Sequence, residues 1–117
     1  RDNINTFADF KPLSEKERAA IATVVKKMHS MPLIPCTSCR YCVDGCPSGI
    51  LIPDVFRALN TKRRYPKNDN RPHFFYNGLV GRSGRAGDCV GCGQCESVCP
   101  QHLNIIELLR EASEKLD

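Results

Sequence analysis

Two runs of cysteine with the same spacing constrain this chain more than any other feature. Cys36, Cys39, Cys42 and Cys46, followed by Pro47, form one run, and Cys89, Cys92, Cys95 and Cys99, followed by Pro100, form the other. Each is written C-x2-C-x2-C-x3-C-P, and together they use all eight cysteines of the sequence. Three thiols two residues apart let one short wrap of chain supply three corners of a metal–sulfur cube, and this spacing is a known way of ligating iron–sulfur clusters. The fold is therefore expected to be organised around two [4Fe–4S] clusters.

The chain's 117 residues give room for one domain with a modest core. Two inorganic clusters would help hold it together, since each gathers four thiolates from distant parts of the chain and couples ligand binding to folding. The formal net charge is +4 and unevenly placed. Arg57, Lys62, Arg63, Arg64, Lys67, Arg71, Arg82 and Arg85 lie between the two motifs with Asp69 among them. A basic patch can signal nucleic acid, but a cluster with four thiolates is itself anionic, and a positive surround stabilises it; no nucleic-acid partner is expected. No apolar run approaches the roughly 20 residues of a membrane span and no signal peptide opens the chain, so the expected location is cytoplasmic.

Two other uses of cysteine compete with the cluster reading. Zinc also takes paired C-x-x-C units, but a structural zinc needs four ligands at tetrahedral spacing, and this repeat is an awkward way to supply them. Disulfides are disfavoured by the reducing compartment expected for the chain. In two-cluster ferredoxins the cysteine before proline serves the other cluster. By that analogy the expected ligand sets are Cys36, Cys39, Cys42 and Cys99 for one cluster, and Cys89, Cys92, Cys95 and Cys46 for the other. Gly45, Gly91 and Gly93 permit close backbone approach to the sulfurs. No side chain is read as a catalytic acid, base or nucleophile, and the reduction potential is left open over roughly −700 to +450 mV.

Around these motifs the sequence reads as helix and loop. Residues 1–13 lack a clear period and suit a linker from an upstream domain, and residues 14–117 form the helical two-cluster domain. Ser14 and Glu17 make an S-x-x-E capping box, and Ala20, Ile21, Val24, Val25 and Met28 follow at helical spacing, predicting a stripe that packs on the cluster domain before Pro32 and Pro35 end the helix. Met28 and Met31 are read as core, not ligands. Pro53 opens a short helix carrying Val55, Phe56 and Leu59, and residues 60–70 are read as loop. A short helix is expected near Phe74 to Leu79, with its aromatic group in the core. The G-x-x-G-x-x-G stretch from Gly81 to Gly87 lacks both the dinucleotide fingerprint and the phosphate-loop ending, and is read as a flexible approach to the second motif. His102 to Leu116 predicts a last amphipathic helix with Glu107, Arg110, Glu111, Glu114 and Lys115 outward. No stretch reads as a good strand, so the expected class is mainly α, an α-helical ferredoxin-like dicluster domain with long loops and little or no sheet.

The residues around the cysteines carry a resemblance. Cys36-Thr37-Ser38-Cys39-Arg40-Tyr41-Cys42 with Cys46-Pro47-Ser48-Gly49 and Ile52-Pro53, then Cys89 to Glu96 with Cys99-Pro100-Gln101-His102, resemble the C-terminal double-cluster domain found in a branch of the aldo/keto reductase family. Asn5 to Leu13 resembles the segment that joins the barrel to that domain. The resemblance covers nearly the whole chain and is weakest from Lys62 to Arg85. The long insertion between motifs is also similar to that of α-helical ferredoxins, such as the iron–sulfur subunits of succinate dehydrogenase and heterodisulfide reductase. The resemblance implies an electron-transfer module attached to a (β/α)8 barrel of about 250 residues. The catalytic residues and nicotinamide site would then lie on that barrel, upstream of Arg1, and this chain alone would not reduce a carbonyl. An electron donor or acceptor is implied as a further partner.

Overall fold

The structure, a computed structural model, describes residues 2–8, 10–67 and 70–117. Among these residues six α-helices form: α1 (Asp2–Ala8), α2 (Glu15–His29), α3 (Ile52–Arg64), α4 (Asn70–Val80), α5 (Gln94–Ser97) and α6 (Ile105–Leu116), with a 3-10 turn at Ala86–Asp88. Among the described residues, sheet is confined to one isolated parallel bridge between Ile50 and Gly84. No helix among the described residues is long and apolar enough to cross a membrane. The chain divides into two compact units, Arg1–Pro32 and Leu33–Asp117.

The first unit holds α1 and α2. Part of the stretch read as linker is helical: Thr6 Oγ1 donates to the Asp2 carbonyl (2.9 Å) one turn back, and Phe7 stacks on Phe10. The capping box forms as the sequence predicts, with the Ser14 N–H donating to Glu17 Oε2 (2.8 Å) and the Glu17 N–H to Ser14 Oγ (3.4 Å). The stripe that follows is not buried. Met28 and Met31 are exposed, which corrects their reading as core, and Ile21, Val24 and Val25 are exposed as well.

The second unit is a packed helical body in which α3 lies against α4 and α6. Its core is Ile34, Ile50, Ile52, Val55, Phe56, Leu59, Tyr76, Ile105, Leu109 and Leu116 with smaller neighbours. Helix α3 continues through residues 60–64, where the charged composition predicts a loop. Side chains that look like loop formers hold it: the Asn60 amide donates to the Ile34 carbonyl (2.9 Å) and accepts from its N–H (2.7 Å), and Thr61 Oγ1 donates to the Arg57 carbonyl (2.8 Å). Asn68 and Asp69, part of that expected loop, lie outside the described residues. Helix α4 is longer than expected, and Phe74 is exposed, so the buried aromatic of this helix is Tyr76. Glu111, expected to face outward, is half-buried and receives Arg63 Nε (3.1 Å) and Lys115 Nζ (2.6 Å). Arg63 Nη2 also bonds it.

Tyr76 links three segments. Its hydroxyl donates to Asp117 Oδ1 (2.7 Å) and accepts from the Ala86 N–H (2.7 Å). Asp117 also accepts from Arg85 Nε (3.1 Å) and the Gly87 N–H (3.1 Å), so the Gly81–Gly87 stretch is anchored rather than flexible. Burial pushes the Tyr76 phenol up to about 12 from 10. Between pH 10 and 12 the folded protein keeps a proton that the unfolded chain gives up, so stability falls as pH rises through this window. Tyr76→Phe is expected to lose about 1–3 kcal/mol at neutral pH, because the Ala86 N–H is left without a partner. The same variant should lose the tyrosine's share of the alkaline decline, measured as urea midpoints from pH 8 to 12 beside the wild type.

The cysteine repeat is part of a longer structural repeat. A shift of 53 positions, Cys36 to Cys89, carries the start of α3 at Ile52 onto the start of α6 at Ile105, two residues that are each 1% exposed. The backbone bonds follow the same shift. The Cys46 N–H donates to the Val43 carbonyl (3.1 Å) as Cys99 does to Glu96 (3.2 Å), and the Gly49 N–H donates to Cys46 (3.0 Å) as His102 does to Cys99 (3.0 Å). The two halves differ where their helices begin. Pro53 has no N–H to satisfy at this position, whereas its counterpart Ile106 donates to Glu96 Oε1 (2.9 Å), and the counterpart of Glu96 is the apolar Val43.

Candidate metal centre

Each cysteine run folds back on itself because two residues flanking its second cysteine adopt the left-handed region. In the second run these are Gly91 (φ 67°) and Gly93 (φ 79°), which have no Cβ to clash. In the first run the same positions hold Ser38 (φ 56°) and Arg40 (φ 67°). A left-handed conformation costs a residue with a side chain about 1–2 kcal/mol, so the first loop is held under strain that the second avoids. The third such position, after the Cys-Pro pair, is Gly49 (φ 62°) in one half and His102 (φ 49°) in the other. The glycines mark these bends in the sequence, and shifting by 53 positions transfers them to Ser38 and Arg40, a signal that the cysteine spacing by itself does not carry.

The bends aim the thiols at two cavities. One is lined by Cys36, Cys39, Cys42 and Cys99. The other is lined by Cys46, Cys89, Cys92 and Cys95. Each therefore gathers three thiols from one run and the fourth, the cysteine before proline, from the other run. Burial follows the repeat as well: Cys42 and Cys95 are buried, Cys39 and Cys92 exposed, and the other four intermediate. All eight are free thiols.

Ile52 stands in the wall of both cavities, with Phe56 and Ile105 beside the first and Ile106 and Leu109 beside the second. Neither lining includes a histidine or a carboxylate. Among the described residues, no group of three or more His, Cys, Asp or Glu side chains is gathered tightly enough to hold a single metal ion. Four soft sulfur donors spread around an apolar-walled space suit an iron–sulfur cluster, whose irons each take one thiolate.

The surroundings act on the thiols. Burial pushes the Cys42 thiol up to about 11 and also raises that of Cys95, so a bound metal must displace their protons. The Ser38 N–H donates to Cys36 Sγ (3.4 Å), the kind of bond that stabilises charge on a ligating sulfur. Arg40 Nη1 is paired with Asp54 Oδ2 (3.0 Å), which ties the first loop to the first turn of α3. Asp54, Asn60 and Glu96 support the loops and the helix starts around the cavities, and the cysteine motifs alone do not point to any of them.

Residues 35–104 match the sequence model of the 4Fe-4S dicluster domain family. No curated protein and no solved structure matches the chain. The matched segment spans both cysteine runs, α3, α4 and the loop that enters α6. With the eight cysteines, the match shows that the chain binds two [4Fe–4S] clusters.

Proposed function

The chain belongs to the 4Fe-4S dicluster domain family, and from that premise we propose that it is the electron-transfer module of a larger oxidoreductase, holding its two clusters by crossed sets of ligands. One set is Cys36, Cys39, Cys42 and Cys99, and the other is Cys89, Cys92, Cys95 and Cys46. The observation that carries this reading is the lining of the two cavities, three thiols from one run and one from the other in each. Each cluster, when bound, supplies a site that accepts and releases one electron without moving a proton or breaking a bond. The residues of the chain set the conditions for that exchange. Ile52, Phe56, Ile105 and Leu109 exclude water from the cavities, and the packing of α3 against α6 fixes the two sites relative to each other.

In this reading the parent protein is an aldo/keto reductase family oxidoreductase with a (β/α)8 barrel upstream. The support is the likeness of the residues around both cysteine runs and of Asn5 to Leu13 to the corresponding parts of that family. A subunit similar to those of heterodisulfide reductase or succinate dehydrogenase is the alternative, and the coding sequence upstream of Arg1 separates the two. A barrel encoded there supports the first, and a frame opening close to Arg1 overturns it.

A second reading, that the clusters serve only to hold the fold, is favoured by the small core of the second unit. Anaerobic reconstitution is expected to give about eight iron and eight sulfide per chain, with clusters that take up and give back electrons reversibly. Redox-silent clusters would favour the structural reading, and a single zinc in place of iron would overturn both.

A further inference from the structure

The structural repeat allows the two cluster sites to be compared position by position, and their charges do not match. Arg40 stands in the lining of the first cavity, where its counterpart in the second is Gly93. Outside each cavity runs an open groove at an equivalent place in the repeat. The first groove, about 730 Å3, passes Cys36 and carries Arg57 and Arg64. The second, about 700 Å3, passes Cys89 and carries Arg110 and Glu114. The cavity and groove linings thus place three positive charges around the first site and a cancelling pair around the second.

The next charges out keep the same sense. Asp54 is paired with Arg40, and its counterpart Glu107 has no arginine at the position of Gly93. Glu96 follows Cys95 directly and holds its carboxylate at the Ile106 N–H (2.9 Å), where the first half has Val43. Asp44 and Asp88, close in sequence to Cys42 and Cys89, add one acidic residue to each side and cancel.

We propose that the site formed by Cys36, Cys39, Cys42 and Cys99 is the higher-potential of the two, so that electrons run downhill within the molecule from the second-half site to the first-half site. The proposal rests on the electron-transfer reading and on the crossed ligand sets. The physical ground is that reduction adds one negative charge to a site, and net charge is among the factors that set a cluster's potential. Arg57 and Arg64 stabilise that added charge, and Glu96 opposes it. The exchange balances simply: one electron leaves the second-half site, which is oxidised, and enters the first-half site, which is reduced. No atom, proton or bond moves. A one-electron donor outside the chain, dithionite in the experiment below, supplies the electron.

The test is a stepwise anaerobic titration of the reconstituted full chain with dithionite at known potentials, followed by electron paramagnetic resonance. Two steps are expected. Their separation should be on the order of tenfold in occupancy, about 59 mV for a one-electron couple. Arg57→Gln with Arg64→Gln should move the first step to lower potential and leave the second in place. Glu96→Gln, whose amide oxygen can still accept from Ile106, should raise the second step and leave the first. Each shift should be about threefold in occupancy, the size expected of surface charges partly screened by solvent. Because the variants act on opposite sites, one decides the matter if the other fails to hold eight iron. Coincident steps in the wild type, a shift of the second step in the arginine variant, or a shift of the first in Glu96→Gln would overturn the ordering. Fewer than two reducible clusters in the wild type would overturn the electron-transfer reading itself, and the ordering with it.

Discussion

Cys36→Ala combined with Cys99→Ala is expected to leave about four iron atoms per chain, whereas Cys89→Ala combined with Cys99→Ala should leave none bound as intact clusters. The first pair removes two ligands from one cavity and spares the other; the second pair damages both. If each run held its own cluster, the outcome would be reversed, because Cys89 and Cys99 share a run and Cys36 does not. The contrast between the two double variants is more informative than any single substitution, since a lost cluster also loosens the fold around it. Iron and sulfide analysis after anaerobic reconstitution, with visible absorbance as a second measure, reads the result. The expectation rests on where Cys99 lies, beside Cys36, Cys39 and Cys42.

The second large effect is expected at Gly84. A Cβ there would meet the Ser48 carbonyl oxygen at 2.0 Å, and Ile50 Cγ1 at 3.2 Å. The nearest obstacle is backbone, so no rotamer change relieves it. The Gly84 N–H also donates to the Gly49 carbonyl (3.1 Å), at the bridge where the approach to the second run meets the exit from the first. Gly84→Ala is expected to cost about 3 kcal/mol, the upper end of ordinary overpacking, or to prevent cluster assembly at this junction. Gly78→Ala is the control. It lies within α4 with nothing within 4 Å of a new Cβ, and alanine there should stabilise by about 0.5–1 kcal/mol. Chemical denaturation midpoints of the two variants beside the wild type decide it, and a Gly84→Ala protein as stable as the wild type would show that the bridge can open without consequence.

The mainly helical class, the capped start of α2, the proline opening α3 and the apolar face of α6 are all legible in the sequence, because each depends on residues within one or two turns of each other. Misread features depend on distant partners. Asn60 and Thr61 look like loop formers until Asn60 is seen to close on Ile34, 26 residues away. Gly81 to Gly87 looks flexible until Asp117 and the Gly49 carbonyl are seen to hold it. Met28 and Met31 follow the helical period of α2, yet periodicity reports that a face is apolar and not how deeply each residue is buried. At the site, the cysteines announce themselves by type and spacing, whereas Arg57 and Arg64 share a groove with Cys36 that only the fold assembles.

The repeat and the exchanged fourth cysteine have a consequence for assembly. One half of the second unit points three thiols at its own cavity and the remaining thiol at its neighbour's, so a half taken alone can complete neither set. Two copies of the same half could complete both, each donating what the other lacks, in the self-complementary manner of a two-fold dimer. With the crossed ligand sets proposed above, the smallest object of this design that can close its metal sites is a pair, and the chain is that pair written on one backbone. Residues such as Arg64, whose counterpart in the repeat is Asp117, and Glu96, whose counterpart is Val43, can then differ between the partners, as they could not in a true dimer.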